Sequence, residues 1–189
     1  MNAYAVALFF HFVSVLIAMA AASAGLLIGL RIRRSGSASE ALGWIATMRR
    51  IIPAFPVAVV GLLATGGYMT HAHWSWSKPW IDAAVVGLAL IIVAGSGVEG
   101  GRMRVLQKEL ESAGVSERAR RLLCDPVSWS AKMVTFGLVF AVVFVMTVKP
   151  AAVGSVTAIV LGVVAGVLGA VPFWRSAAEA VDAPDLVVG

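Results

Sequence analysis

Five side chains of this sequence are suited to bind a metal ion or a haem iron, namely His11, His71, His73, Met69 and Met146. Imidazole and thioether groups are ligands of b-type haem and of copper. The five residues are scattered along the chain, but the apolar segments that carry them predict that all lie towards one side of a membrane. One interpretation is a haem or copper site in the outer half of a helical bundle. The other is that His11 hydrogen-bonds a carbonyl group, while His71 and His73 belong to an interfacial aromatic belt.

His11 is the leading candidate, because an ionisable side chain inside a membrane span is costly unless it has a partner. It is predicted to lie about 12 Å below the outer surface, at about 1.5 Å per helical residue. Small side chains share its helical stripe, namely Ser14, Ala18, Ala22, Gly25 and Gly29. We therefore expect His11 to face a neighbouring helix rather than lipid. Thr65, Met69 and His73 are predicted to share a face of the second span in the same way.

Glu99 is a second candidate for chemistry, near the inner end of the third span. It could relay protons, or it could pair with Arg102 or Lys132, and ion pairing is the favoured interpretation because long charged side chains near helix ends reach towards the interface. The single cysteine, Cys124, cannot form an internal disulfide. The sequence contains no P-loop, no dinucleotide-binding glycine motif and no HExxH motif.

Composition predicts the elements that position these residues. Hydrophobic residues make up 60% of the chain and charged residues 13%, which is typical of a membrane protein. We predict an all-α, polytopic helical bundle with about five transmembrane helices. The predicted bundle covers residues 1–174, with spans at about 3–30, 53–70, 82–101, 128–148 and 151–174, and residues 175–189 are predicted to form a cytoplasmic tail.

The distribution of Lys and Arg predicts the orientation. Of 15 such residues, only Lys78 and Lys149 fall on one side, which places the N-terminus outside and the C-terminus in the cytoplasm. Tryptophans form two belts that agree, with Trp74, Trp76 and Trp80 outside and Trp44, Trp129 and Trp174 inside. The basic residues thus indicate topology in a bacterial cytoplasmic membrane, and they exclude nucleic acid as the expected partner. The lipid bilayer is the expected surrounding.

Small residues recur every four positions along the fifth span, at Gly154, Ala158, Gly162, Gly166 and Ala170. Such a ridge lets another helix approach closely. The favoured expectation is packing within the bundle. The alternative is a homodimer or a membrane-complex partner bound through Gly154, Gly162 and Gly166.

The central stretch resembles an uncharacterised family of bacterial integral membrane proteins. The resemblance rests on short motifs, which are Arg49 or Arg50, Pro53, the 63–68 segment LATGGY, the tryptophan pair that follows it, Asp82, the 146–150 segment MTVKP, and His11. That family is similar to the copper-resistance D membrane domain and to the HemJ type of haem-biosynthetic membrane protein.

The resemblance implies a small helical bundle in which His11 stands at the position of a haem ligand. HemJ-type proteins use a lysine of a later span as the second ligand, but here Lys132 lies at the inner end. His71, His73 or Met69 would have to replace it, with Met146 as a further alternative. The expected function is therefore a membrane b-type haem protein, as an electron-transfer or oxidoreductase component. The alternatives are a copper-binding or copper-transporting protein and a cofactor-free structural or accessory subunit.

Overall fold

Five helices are long and apolar enough to cross a membrane, namely Ala3–Arg34, Ala38–His73, Pro79–Ala113, Glu117–Val148 and Ala152–Trp174. The computed structural model describes the backbone of residues 2–182 and the side chains of residues 2–174. Within these residues every regular element is helical. The predicted all-α, five-span membrane bundle is therefore confirmed.

Most of the helices extend beyond the bounds predicted for the spans. In chain order they are α1 (Ala3–Arg34), α2 (Ala38–Ile51), α3 (Ala54–His73), α4 (Pro79–Ile92), a π-helical segment (Val93–Glu99), α5 (Gly100–Ala113), α6 (Glu117–Leu123), α7 (Pro126–Val148) and α8 (Ala152–Asp182).

Side-chain caps and proline set several of these boundaries. Ser37, Ser116 and Asp125 accept backbone N–H groups at the starts of α2, α6 and α7. Helix α4 begins at Pro79 with Lys78 as its N-cap, and Asp82 lies in its first turn. Pro79 fits the first helical position, where a missing N–H costs nothing. Helix α5 ends at Gly114, whose φ of 66° a residue with a side chain rarely adopts.

The transmembrane helices pack in two groups. Helices α1 and α3 pack against each other, and α7 packs against α4 and α8. The contact between α7 and α8 is the closest in the bundle. A Cβ atom added to Gly162 would lie 2.7 Å from both the Ala141 Cβ and the Gly137 carbonyl oxygen, and one added to Gly166 would lie 2.7 Å from the Met133 oxygen.

The glycine ridge of α8 is therefore used for packing within the bundle at Gly162 and Gly166, as expected. Ala170, on the same ridge, is completely buried. Gly154 differs, because its nearest neighbour is the Pro150 ring of the preceding turn, with a would-be Cβ contact of 3.0 Å.

An apolar cluster lies at the arginine-rich end of the bundle, which is predicted to be the cytoplasmic end. Ile32 of α1, Ile45 of α2, and Leu106 and Leu110 of α5 are its most central members, and Ala119 of α6 closes it. The charged stretch 102–121 is largely helical and packs an apolar face against α2.

Most of the outward surface of the spans is apolar. Phe9, Phe12, Val60, Phe144 and Val153 are all at least half exposed, which suits contact with the lipid bilayer. At the C-terminus, α8 continues to Asp182, so the first part of the predicted tail is helical. The rest of that predicted tail, residues 183–189, lies outside the described residues.

Candidate functional site

His11 lies between α1 and α3, as its small-residue stripe predicts, and only 8% of its surface is exposed. Its Nδ1 atom is 2.9 Å from the Thr65 hydroxyl oxygen, which in turn donates to the Gly61 carbonyl oxygen at 2.6 Å. A hydroxyl group has one proton to donate. Since Thr65 gives that proton to Gly61, it accepts from His11, and the imidazole is assigned as the tautomer with the proton on Nδ1 and a lone pair on Nε2.

Glycine on α3 makes room for this arrangement. A Cβ atom added to Gly66 would lie 3.4 Å from the His11 Cε1 atom, and one added to Gly61 would collide with the Ser14 hydroxyl. Ser14 donates its hydroxyl proton to the Phe10 carbonyl oxygen at 2.8 Å. The two helices therefore approach closely at the level of His11, and the imidazole is held by polar contacts.

Met69 is the methionine best placed to join His11. It is 9% exposed and lies one helical turn from Thr65, which contacts His11 of α1, so helical periodicity places it on the same face of α3. Helical side chains lean towards the N-terminus of their own helix. Because α1 and α3 run antiparallel, as the His11–Thr65 and Tyr4–His73 contacts show, we expect the His11 and Met69 side chains to lean towards a common level.

His71 and His73 do not lie at the level of His11. Both are exposed at the outer end of α3, and the His73 ring packs edge-on against Tyr4 with centroids 4.6 Å apart. His73 follows Thr65 by eight residues, or about 12 Å along the helix at 1.5 Å per residue. Met146 is half-buried on α7, whose main partners are α4 and α8.

The described residues do not supply two histidines facing each other across a haem plane. Among them, no group of three or more His, Cys, Asp and Glu side chains could hold a metal ion. A cavity among the described residues lies away from His11, between α2 and α5. His11 is thus buried between two helices, whereas His71 and His73 are exposed at the C-terminal end of α3.

A lysine and two tryptophans form a cluster at the outer end that the sequence did not predict. The Lys149 Nζ atom lies 4.2 Å from the centre of the Trp74 ring and 5.6 Å from that of Trp80. The two indoles meet edge-on at 5.4 Å. Lys149 adopts a left-handed backbone conformation as the C-cap of α7, and this directs the chain into Pro150. These cation–π contacts join the α3–α4 loop to the α7–α8 turn.

Glu99 pairs with Lys132, which confirms the favoured interpretation of that carboxylate. Lys132 is 6% exposed, and a Cβ atom added to Gly29 of α1 would lie 3.2 Å from its Cε atom. The lysine therefore connects α7 both to α1 and to the end of the π-helical segment. Arg102, the other predicted partner of Glu99, instead binds Asp125 at 2.7 Å.

Comparison of the chain with protein-family models, with curated proteins and with solved structures finds no match. The resemblance to the copper-resistance D and HemJ types therefore stays a prediction.

Proposed function

We propose that the protein binds copper(I) in the outer half of its α1–α3 pair, with His11 and Met69 as ligands, and that it handles copper at the outer face of a bacterial cytoplasmic membrane. The observation that carries the proposal is the hydrogen bond between His11 Nδ1 and the Thr65 hydroxyl. Histidines that bind metals almost always donate their other ring N–H to a fixed acceptor, which sets the tautomer and the ring orientation. Thr65 provides that acceptor here.

The chemistry of Met69 favours copper(I) over other ions. Thioether sulfur is a soft ligand that selects copper(I), and imidazole nitrogen also suits copper. Hard cations prefer several oxygen ligands, above all carboxylates, and the described side-chain partner of His11 is the Thr65 hydroxyl. Because α1 and α3 approach closely at the level of His11, a single ion is easier to place between them than a macrocycle.

A b-type haem is the second candidate, because His11 meets the requirement for one axial ligand. Its other ligand would be His71, His73, Met69 or Met146, and the two histidines would have to move inwards by about two helical turns, or about 11 Å.

A cofactor-free accessory subunit is the third candidate function. It is supported by the same Thr65 contact, which satisfies His11 without any metal. A homodimer or complex partner would have to use the Gly154 region, since Gly162 and Gly166 lie against α7.

One purification separates these candidates. The protein would be purified under reducing conditions, its absorption spectrum recorded, and copper(I) titrated against a chromogenic chelator. We expect no Soret band and one copper(I) per chain. His11→Ala should abolish stoichiometric binding, and Met69→Leu should weaken it, while Met146→Leu serves as a matched control and leaves it unchanged.

Other results would redirect the proposal. A Soret band that disappears in His11→Ala would establish haem and overturn copper. Copper bound equally well by the wild type and His11→Ala would place the metal elsewhere. A stable protein that retains neither copper nor haem would support the accessory subunit.

A further inference from the structure

A cavity of about 400 Å³ opens between α2 and α5 at the arginine-rich end of the molecule. Leu42, Ile45 and Ala46 form its apolar wall, and Arg49, Gln107 and Glu111 bring polar groups to it. Ile45 belongs to the buried apolar cluster of this end and Leu42 packs against it, whereas Ala46 is exposed, so the wall leads from the core to the surface. The cavity therefore combines a fixed apolar surface with one cation and one anion.

The two charged groups do not neutralise each other. Arg49 is exposed and makes no described ion pair. Glu111 accepts a hydrogen bond from Gln107 at 2.7 Å through Oε1, which leaves its other oxygen open. Side chains lean towards the N-terminus of their own helix. Because α2 leads towards the membrane-spanning part of the chain and α5 leads away from it, we expect the Arg49 and Glu111 side chains to lean towards each other across the cavity that both line.

The helix bounds and the predicted end of the third span give the order of the two charges along the membrane normal. Arg49 lies five residues before α3 begins its span, which puts it at the membrane interface. Glu111 lies ten residues beyond Gly101, the predicted inner end of the third span, or about 15 Å further at 1.5 Å per residue. The cation is therefore nearer the hydrocarbon and the anion is further from it.

We propose that this cavity binds the headgroup of a phospholipid that carries both a phosphate and a primary ammonium, such as phosphatidylethanolamine. In a bilayer leaflet the phosphate lies nearer the acyl chains and the ammonium extends further out. Arg49 would therefore bind the phosphate, for which a guanidinium is well suited, and Glu111 would accept from the ammonium. Lipid binding at this cavity does not depend on copper binding at His11 and Met69.

The surface next to the cavity suits the acyl chains of the same lipid. Ile52 follows Arg49 on the same helical side and is 52% exposed. Pro56 and Val60 continue this exposed apolar stripe towards the middle of the membrane. A lipid anchored at Arg49 could thus lie along α3 within its own leaflet.

Native mass spectrometry of the detergent-purified full chain tests the proposal. Phosphatidylethanolamine, phosphatidylcholine and phosphatidylglycerol with identical acyl chains would be titrated separately. We expect phosphatidylethanolamine to bind most tightly. Loss of a charge-assisted hydrogen bond should weaken its binding by about tenfold or more in Arg49→Gln and in Glu111→Gln.

The two variants should differ in selectivity. Arg49→Gln should weaken all three lipids, whereas Glu111→Gln should remove the preference over phosphatidylcholine, whose quaternary ammonium has no N–H to donate. Arg50→Gln and Glu117→Gln remove the same charges outside the cavity and should bind like the wild type. Thermal unfolding of each variant would show that it is folded.

Three results would overturn the proposal. Equal weakening by Arg50→Gln would show that only general positive charge attracts lipid. Binding of phosphatidylglycerol as tight as that of phosphatidylethanolamine would remove the role of Glu111. Displacement of the lipid by an equal concentration of glycerophosphoethanolamine, which has no acyl chains, would identify a soluble phosphoethanolamine compound as the ligand.

Discussion

Adding one methyl group at Gly162 should destabilise the bundle measurably. In Gly162→Ala the new Cβ would lie 2.7 Å from the Ala141 Cβ and from the Gly137 carbonyl oxygen. Ordinary contacts between such atoms need roughly 3.5–4.0 Å, so α8 would have to move away from α7 by up to about 1 Å. Overpacking of this kind typically costs about 1–3 kcal/mol. Ala is also a better helix former than Gly by about 1 kcal/mol, which partly hides the steric cost.

Gly169→Ala is the control that cancels this propensity gain. It makes the same substitution on the same helix, where the nearest side-chain atom to the new Cβ would be Met133 Sδ at an ordinary 3.9 Å. Equilibrium unfolding in mixed micelles should therefore show Gly162→Ala to be less stable than Gly169→Ala by about 1–3 kcal/mol. Equal stability of the two variants would refute the close approach of α7 and α8. Gly162→Leu should prevent normal folding altogether.

Three other contacts give further predictions. Thr65→Val removes the acceptor for His11 Nδ1 and should weaken copper(I) binding by about 10–100-fold in the chelator titration; unchanged affinity would exclude an orienting role. Lys132→Met leaves Glu99 without its partner and should cost roughly 3 kcal/mol, which the double variant with Glu99→Gln should largely restore; additive losses in unfolding experiments would contradict direct pairing. Lys149→Met removes the cation above the outer tryptophan pair and should cost about 0.5–1 kcal/mol and change tryptophan fluorescence; an unchanged emission spectrum would argue against that contact.

Local patterns were sufficient to predict the membrane fold and one face of the site. Long apolar runs predict five spans because the bilayer excludes unpaired backbone groups. The stripe of small residues around His11 predicts its burial, because only small residues allow helices to approach closely in lipid. The shared face of Thr65, Met69 and His73 follows from helical periodicity, and two of these residues contact α1 directly, Thr65 through His11 and His73 through Tyr4.

Partner choice could not be predicted, because it depends on how distant helices are rotated and tilted. Glu99 had two basic neighbours within reach of its helix end, and only the orientation of α7 decides that Lys132 is the partner. Lys149 meets its tryptophans across two connections that are far apart in sequence. The depth of His71 and His73 relative to His11 also depends on where α1 and α3 align.

X-ray absorption at the copper edge tests the central claim most directly. The protein would be loaded with one equivalent of copper(I) and the first coordination shell measured for the wild type and for Met69→Leu. Copper bound by His11 and Met69 predicts one nitrogen and one sulfur scatterer in the wild type and loss of the sulfur in the variant. A first shell of nitrogen and oxygen only, or sulfur scattering that persists in Met69→Leu, would contradict the proposed site.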